Sequence, residues 1–430
     1  MELFCFVAIL VNLVFIFRYI LMSGKLLNIG LYVIRINAFL LFFSNIASAQ
    51  ITLDSIWGRV LRIEEKQRAD SADLKDYKDL TFYYMNMAPL DTSENSKGFK
   101  LSGYVDTYYA LYSDEVGLGN YQKFPTVAPR NNSFGLNMLM LSGKYKSNKL
   151  RSTFTLHYGD IPDAAWSTLY NNIQEANIGF RLGKKWWFDM GYFRTHLGFE
   201  SIQPRENMTT SVATTTYFEP YYLSGAKLSY ALSSKITLVA NVFNGFNSFV
   251  AVNNSKTVGL SINYEPSERV FFTYNNLLGT NDIQQNKFRT YHNIYYAFKG
   301  KRWDVGAELN FGSQAHTKLA DTTKTAYMVS GLVSVRYKIK KGKYGLYMRG
   351  EVFEDSDEIL TGPVQNKNHQ LVGVNLVGVT IGGQVKPLPN SYLRLEYRGL
   401  LCTKQETIFY TNKDYTNVRQ EIVSAFGIWF

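Results

Sequence analysis

The side chains that could do chemistry in this 430-residue chain are charged groups spaced two apart. Arg394, Glu396 and Arg398 alternate with Leu393, Leu395 and Tyr397. Arg349 and Glu351 sit between Leu346, Met348 and Val352. Glu175, Asn177 and Arg181 alternate with Ala176, Ile178, Phe180 and Leu182, and Asp304, Glu308 and Asn310 with Trp303, Val305, Ala307, Leu309 and Phe311. Period two puts one set on each face of a strand. A dry core does not accept rows of charge, so one face must meet water while the other meets something apolar. The chemistry of such a face is electrostatic, attracting and sieving solutes by charge and width.

Extended along the chain, this phase places Asp106, Arg151, Glu175, Arg181, Asp189, Lys227, Asp304, Glu308, Arg336, Arg349, Glu351, Arg394, Glu396 and Arg398 on the wet face as pore-lining residues. Bases and acids are equal in number there, so weak ion selectivity is expected, with Arg394 and Arg398 as the anion contacts. Much of the net charge of +11 sits instead in short turns, for example at Lys146, Lys149, Lys184, Lys340 and Lys341. No basic helix accompanies it, and the reading is no nucleic acid.

Catalytic patterns are missing. His157, His196, His292, His316 and His369 are scattered, and the sequence has no HExxH, paired CxxC or GxSxG. His157, in Thr155-Leu156-His157-Tyr158, has no serine beside it, as a barrel phospholipase would require. The reading is therefore not an enzyme, with no cofactor and no metal. Cys5 and Cys402 are the two cysteines. Cys5 falls in the leader, which leaves no intramolecular disulfide.

The elements that must position these residues begin at Phe99, where period two sets in and holds to the end. Strands are expected near 99–112, 133–146, 149–159, 172–183, 185–198, 220–232, 235–246, 256–265, 268–278, 287–299, 301–312, 325–340, 343–354, 370–385, 389–402 and 418–430. Their connections alternate between short turns, such as Gly183-Lys184 and Lys341-Gly342, and long loops. That alternation puts both termini on the short-turn side, the arrangement of an all-β, transmembrane, antiparallel up-and-down β-barrel of about 16 strands, range 14–18. About sixteen strands leave an aqueous channel, whereas about eight are filled by side chains. Aromatic doublets at strand ends, Trp186-Trp187, Tyr221-Tyr222, Phe271-Phe272 and Tyr295-Tyr296, together with Trp303, suit the two membrane-interface girdles. The longest loop, 199–219, holds the position of the inward-folding third loop of sixteen-stranded porins. Glu200, Arg205, Glu206 and Glu219 are its expected constriction-loop residues.

Residues 1–49 read as a leader. The apolar run at 38–43 precedes Ala47-Ser48-Ala49, so Ala47 and Ala49 mark the signal cleavage and Gln50 the mature start. Met22 gives this leader a normal length. Residues 50–97 read as a periplasmic N-terminal extension with one helix behind Asp54, or else as a plug, and residues 98–430 as the barrel. The last strand places Phe426, Ile428 and Phe430 on one face. It resembles the C-terminal recognition strand of Gram-negative outer-membrane barrels, which makes these residues the assembly signal and the barrel-assembly machinery a partner.

A second resemblance rests on Gly198-Phe199-Glu200-Ser201, Gln203-Pro204-Arg205-Glu206-Asn207, the run from Thr214 to Gly225, and the opening strand Gly103-Tyr104-Val105-Asp106-Thr107-Tyr108-Tyr109. These stretches resemble the OmpL-like β-barrel porin family of Bacteroidetes-type bacteria over about 98–430. The family more often has Ser-Arg-Ser where this chain has Thr214-Thr215-Thr216. The resemblance implies a Gram-negative outer membrane. The function expected is a porin for passive diffusion of small hydrophilic solutes, in contact with outer-membrane lipid and with a homotrimer as one assembly. The alternatives are a surface receptor or adhesin barrel and an outer-membrane barrel enzyme.

Overall fold

A strand with one apolar and one wet face is stable in a membrane when its sheet closes on itself, because closure leaves no backbone edge in lipid. The computed structural model describes residues 98–430 apart from 115, 117–118, 123, 125–126, 281–285, 363, 405 and 412–413. The leader with Ala47 and Ala49, and the 50–97 extension, lie outside the described residues.

The strands are β1 (Gly98–Tyr112), β2 (Ser133–Lys146), β3 (Leu150–Tyr158), β4 (Ile173–Gly183), β5 (Trp186–Arg194), β6 (Tyr222–Ala231), β7 (Ile236–Phe243), β8 (Thr257–Ser267), β9 (Val270–Gly279) and β10 (Arg289–Lys299). They continue with β11 (Trp303–Gln314), β12 (Ala326–Ile339), β13 (Tyr344–Asp355), β14 (Val364–Gln365), β15 (Leu371–Val372), β16 (Val374–Val385), β17 (Ser391–Cys402), β18 (Phe409–Tyr410), β19 (Tyr415–Thr416) and β20 (Val418–Trp429). Sixteen of them form one closed antiparallel barrel, each paired with its chain neighbour and β20 returning to β1. The pairs β14–β15 and β18–β19 are small hairpins at two of the long connections; β14, β18 and β19 fall in expected loops, and β15 at the start of the strand expected at 370–385.

Short turns use local polar groups and left-handed backbone. The Ser147 N–H donates to the Leu150 carbonyl at 2.7 Å, and Lys340, Lys341 and Gly342 take φ of 48°, 56° and 88° between β12 and β13. The closing seam carries the chain's end: Gly103 and Phe430 exchange two backbone hydrogen bonds of 3.1 Å. The Phe430 ring lies over Gly103, where a Cβ would fall 2.4 Å from it. A side chain at position 103 would displace the terminal ring.

Outward faces are apolar and exposed, as Leu346, Met348 and Val352 show on β13, while Tyr347, Arg349 and Glu351 beside them are buried inside. Outer aromatic rings pair near the short-turn end: Trp186 with Tyr230 at 4.3 Å, Trp303 with Tyr337 at 4.7 Å, and Phe272 with Tyr296 at 4.9 Å. The doublets do not belong whole to the girdles. Adjacent strand residues face opposite ways, so Trp187, Phe271 and Tyr295 point inward and are buried. Tyr221 and Tyr222 pack with Trp166 and Phe249 among the long loops. The other buried apolar side chains gather where long loops meet the inner wall, beside helix α1 (Asp160–Ala165).

Candidate pore constriction

The loop between β5 and β6 is pinched at its base, where the Thr195 N–H donates to the Tyr221 carbonyl at 3.0 Å. It contains one 3-10 turn, Pro204–Glu206, and a five-residue helix, α2 (Thr214–Phe218). Its middle, Met208-Thr209-Thr210-Ser211-Val212-Ala213, is small and rich in hydroxyls, and is almost wholly buried. Such a segment cannot satisfy its own backbone groups by secondary structure, so buried partners must be supplied from outside.

The inner wall supplies them. Carboxylates receive the loop's amides: Glu308 takes Phe199 N–H at 2.6 Å, and Glu396 takes Thr210 and Ser211 N–H at 2.5 and 2.9 Å. Glu351 takes Thr214 N–H at 2.7 Å, and Glu200, within the loop, takes Ala213 N–H at 2.6 Å. Guanidiniums receive its carbonyls. Arg394 donates to the carbonyls of Pro204, Thr209 and Asn207 at 2.7, 2.8 and 3.0 Å, and Arg349 donates to the Ser211 carbonyl at 2.7 Å and to Glu200 at 2.9 Å. Arg398 bridges Glu351 at 2.8 Å and the Thr214 hydroxyl at 3.1 Å. Next to β17, Tyr104 OH of β1 accepts Arg205 N–H, and farther round the barrel Gln203 donates to Gln174 of β4. The loop thus spans from β11 past β13 and β17 to β1 and β4. Charged hydrogen bonds of this kind are the strong ones, and each charge here has a partner to offset its desolvation.

Of the remaining wet-face charges, some pair with one another and others meet rings or neutral groups. Arg151 pairs with Asp189, and Asp304 is clamped by Arg336 and Lys338 at 2.7 and 2.8 Å. Lys227 lies 4.3 Å over the Phe193 ring. Asp106 accepts from Tyr104, Tyr392 and Asn137. Arg181 donates to carbonyls of Gly183 and Lys184 at the short-turn rim, and Glu175 is half-buried on β4.

Two expectations change. Arg394 and Arg398 were expected to meet anions, but both are buried, Arg394 donating to loop carbonyls and Gln384 and Arg398 to the wall carboxylates Glu351 and Glu421 and the Thr214 hydroxyl. Among the four constriction-loop residues, Glu200 and Glu219 are buried, and Glu206 is turned back onto Arg194 at 2.6 Å. Arg205 is half-buried, with its guanidinium 4.7 Å over the Tyr104 ring.

Sequence reading missed Tyr104, Gln174 and Gln203. It also missed the buried pair Arg419–Asp114, closed at 2.5 Å beside Glu421. The alternation of β20 already placed Arg419 and Glu421 on the face of Val423, which was a usable signal.

In the loop, burial and the neighbouring Glu308 carboxyl hold the Glu219 carboxyl well above the usual carboxylate range. Burial, with Lys227 nearby, lowers the His196 imidazole to about 3, so it is neutral.

A family model described as beta-barrel porin-2, OmpL-like, matches residues 98–430. Among solved structures the chain is similar to the anion-selective porin of Comamonas acidovorans, with 9% identity, TM-score 0.51, and 77% of this chain and 99% of that one covered. It is similar to the outer-membrane channel DcaP of Acinetobacter baumannii, with 12% identity, TM-score 0.51 and coverage of 78% and 99%. It is also similar to Salmonella typhi OmpF in complex with daunomycin, with 11% identity, TM-score 0.51 and coverage of 79% and 99%. At these identities the likeness is one of fold. No curated protein matches.

Proposed function

The chain belongs to the OmpL-like beta-barrel porin-2 family of outer-membrane porins, and from that premise we propose that its barrel is a water-filled channel for passive diffusion of small hydrophilic solutes. The observation that carries this reading is the inner loop, tied across a lumen of sixteen strands by the wall's own charges. A barrel of this size has more interior than its side chains fill, and a loop fastened across it sets the width and the charge that a solute meets. In this reading Arg205 is the constriction's cation, the half-buried Arg151, Arg181 and Arg336 line the short-turn half of the channel, and Glu175 lies toward the long-loop end of β4. The sign balance of the wall supports weak ion selectivity. The test is conductance in planar bilayers: stepwise, ohmic channels are expected, and correctly folded protein that inserts without conducting would sink the proposal. Members of this family are typically non-enzymatic.

The same reading makes residues 1–49 a leader and 50–97 a periplasmic extension, tested by the N-terminus of outer-membrane material. Phe426, Ile428 and Phe430 serve assembly. Deleting Phe430 is expected to lower outer-membrane yield severalfold while the protein that does insert stays heat-modifiable on gels; normal yield would count against this role.

A further inference from the structure

Arg419, at the long-loop end of the last strand, is wholly buried and is joined to the inner loop by two separate routes. The first route is ionic. The guanidinium donates to both oxygens of Asp114, at the start of the first long loop, at 2.8 and 2.5 Å. On its other side it faces Glu421 at 3.8 Å, the longest step, where Nη1 and Oε1 make no hydrogen bond. Glu421 faces Arg398 of β17 at 3.5 Å, and Arg398 holds Glu351 of β13 at 2.8 Å. Arg349 then stands between Glu351 and Glu200 at 3.4 and 2.9 Å. Acids and bases alternate along this run from Asp114 to Glu200, and every one of them is buried. The run ends on the entry to α2. Glu200 takes Ala213 N–H, Glu351 takes Thr214 N–H, and Arg398 donates to the Thr214 hydroxyl.

The second route is aromatic. The same guanidinium lies 4.5 Å over the Phe409 ring of β18. Phe409 meets Phe124 of the first long loop edge to face, at 6.2 Å and 84°. Phe124 meets Phe218, the last residue of α2, at 5.6 Å, and Phe218 is backed by Phe353 of β13 at 5.7 Å. Both routes therefore leave one side chain and finish on opposite ends of one five-residue helix. A guanidinium suits this place because its plane stacks on a ring while its edge binds carboxylates. A buried ladder of alternating charge holds only while each charge keeps its neighbours, so losing one base leaves the acids on both sides uncompensated.

We propose that Arg419 is a positioning residue for the constriction. Being wholly buried, it does not line the solute's path; it holds α2, and with it the second arm of the inner loop, by charges at one end and rings at the other. The inference rests on the porin reading of that loop. It gives the first long loop and the β18–β19 hairpin a task, which is to brace α2 from the mouth of the barrel. It also makes the channel's width depend on β20, so the constriction is complete only once the last strand has closed the barrel.

The experiment uses the full-length protein in planar bilayers, with limited chymotrypsin digestion of the same samples, because Tyr217 and Phe218 place two cleavage points in α2. Wild type is expected to resist cleavage there. Arg419→Met is expected to gain cleavage after Tyr217 and Phe218, and its single-channel conductance should rise toward that of a variant lacking 205–214. Asn275→Ala, which loses a wall bond to Asn293, should lower the thermal midpoint with neither change. Arg419→Lys keeps the charge without the planar fork, so it should recover most of the thermal midpoint and still gain cleavage; it decides the matter if Arg419→Met does not fold. Wild-type cleavage and conductance in Arg419→Met, or in Arg419→Lys where that variant decides, would overturn the positioning role. So would the same gain of cleavage in Asn275→Ala, since loosening would then follow from any loss of stability. If folded wild type does not conduct, the porin reading fails, while cleavage still reports on Arg419.

Discussion

The inner wall has two halves that solve burial differently. On β13, β17, β20 and β1 it carries buried ions, Arg349, Glu351, Arg394, Glu396, Arg398, Arg419 and Asp106, with the neutral Asn375, Thr380 and Gln384 of β16 among them. On β8 to β12 there runs a row of small neutral groups, Ser261, Asn275, Asn293, Asn310 and Ser330, adjacent by strand register. Within it Asn275 donates to Asn293 at 3.1 Å, Asn293 to Asn310 at 2.6 Å, and Asn310 to Ser330 at 3.2 Å. The neutral row bonds along the wall, from strand to strand. In the ionic half Arg349, Glu351, Arg394 and Glu396 bond away from the wall, to the backbone of the loop. A loop without secondary structure presents bare amides and carbonyls in no fixed order, and long side chains ending in two acceptors or five donors can reach and collect them. Where the wall has only itself to satisfy, short amides are enough.

This contrast can be broken at its centre. Arg349, fully buried, joins Glu200, Ser211, Thr380 and Glu351. Arg349→Leu leaves buried carboxylates uncompensated and is expected to cost about 3–5 kcal/mol, read as a lower thermal midpoint and a protease-sensitive loop. Unchanged loop protection would mean that the ionic half does not hold the loop.

Deleting 205–214 is the next largest change. It removes two of the carbonyls that Arg394 holds, Asn207 and Thr209, and the donors that Glu396 collects, leaving those charges to water in a wider lumen. Single-channel conductance is expected to rise severalfold; unchanged conductance in folded protein would deny the loop any part in setting the width. Asn275→Ala sharpens the contrast from the other half. It breaks the wall bond to Asn293 without touching the loop or its anchor Glu308, so it should cost about 1–3 kcal/mol in unfolding and leave conductance unaltered. A conductance change would show that the neutral row also shapes the constriction. The smallest effect is expected from Arg205→Glu. Under a salt gradient the reversal potential should move a few millivolts toward cations, since screening at ordinary ionic strength limits a single half-exposed charge. No movement would remove Arg205 from the solute's path.

Much of the fold was readable without coordinates because it is a local property. Alternation along Leu393 to Arg398 states which side chains share a face, and Lys341-Gly342 states where the chain reverses; neither depends on distant residues. The order of short and long connections then required neighbours to pair in sequence, and the sixteen-strand barrel follows. The reading of adjacent aromatics as a unit went wrong at Trp186-Trp187 because two neighbouring strand residues cannot share a face.

Partnership is another matter. Arg394 and Arg398 have the same spacing whether they meet a solute or a loop, and nothing within β17 distinguishes the two. The choice was made about 190 residues away in sequence, by where Gln203 to Thr214 lies once the barrel has closed. The Tyr291–Glu219 hydrogen bond and the Arg419–Asp114 pair arise in the same way, from groups brought together by closure and loop path. By itself the sequence determined strands, faces and turns, because backbone geometry repeats every two residues. The tertiary structure alone decided which buried charges meet each other, because that depends on register summed around the whole barrel.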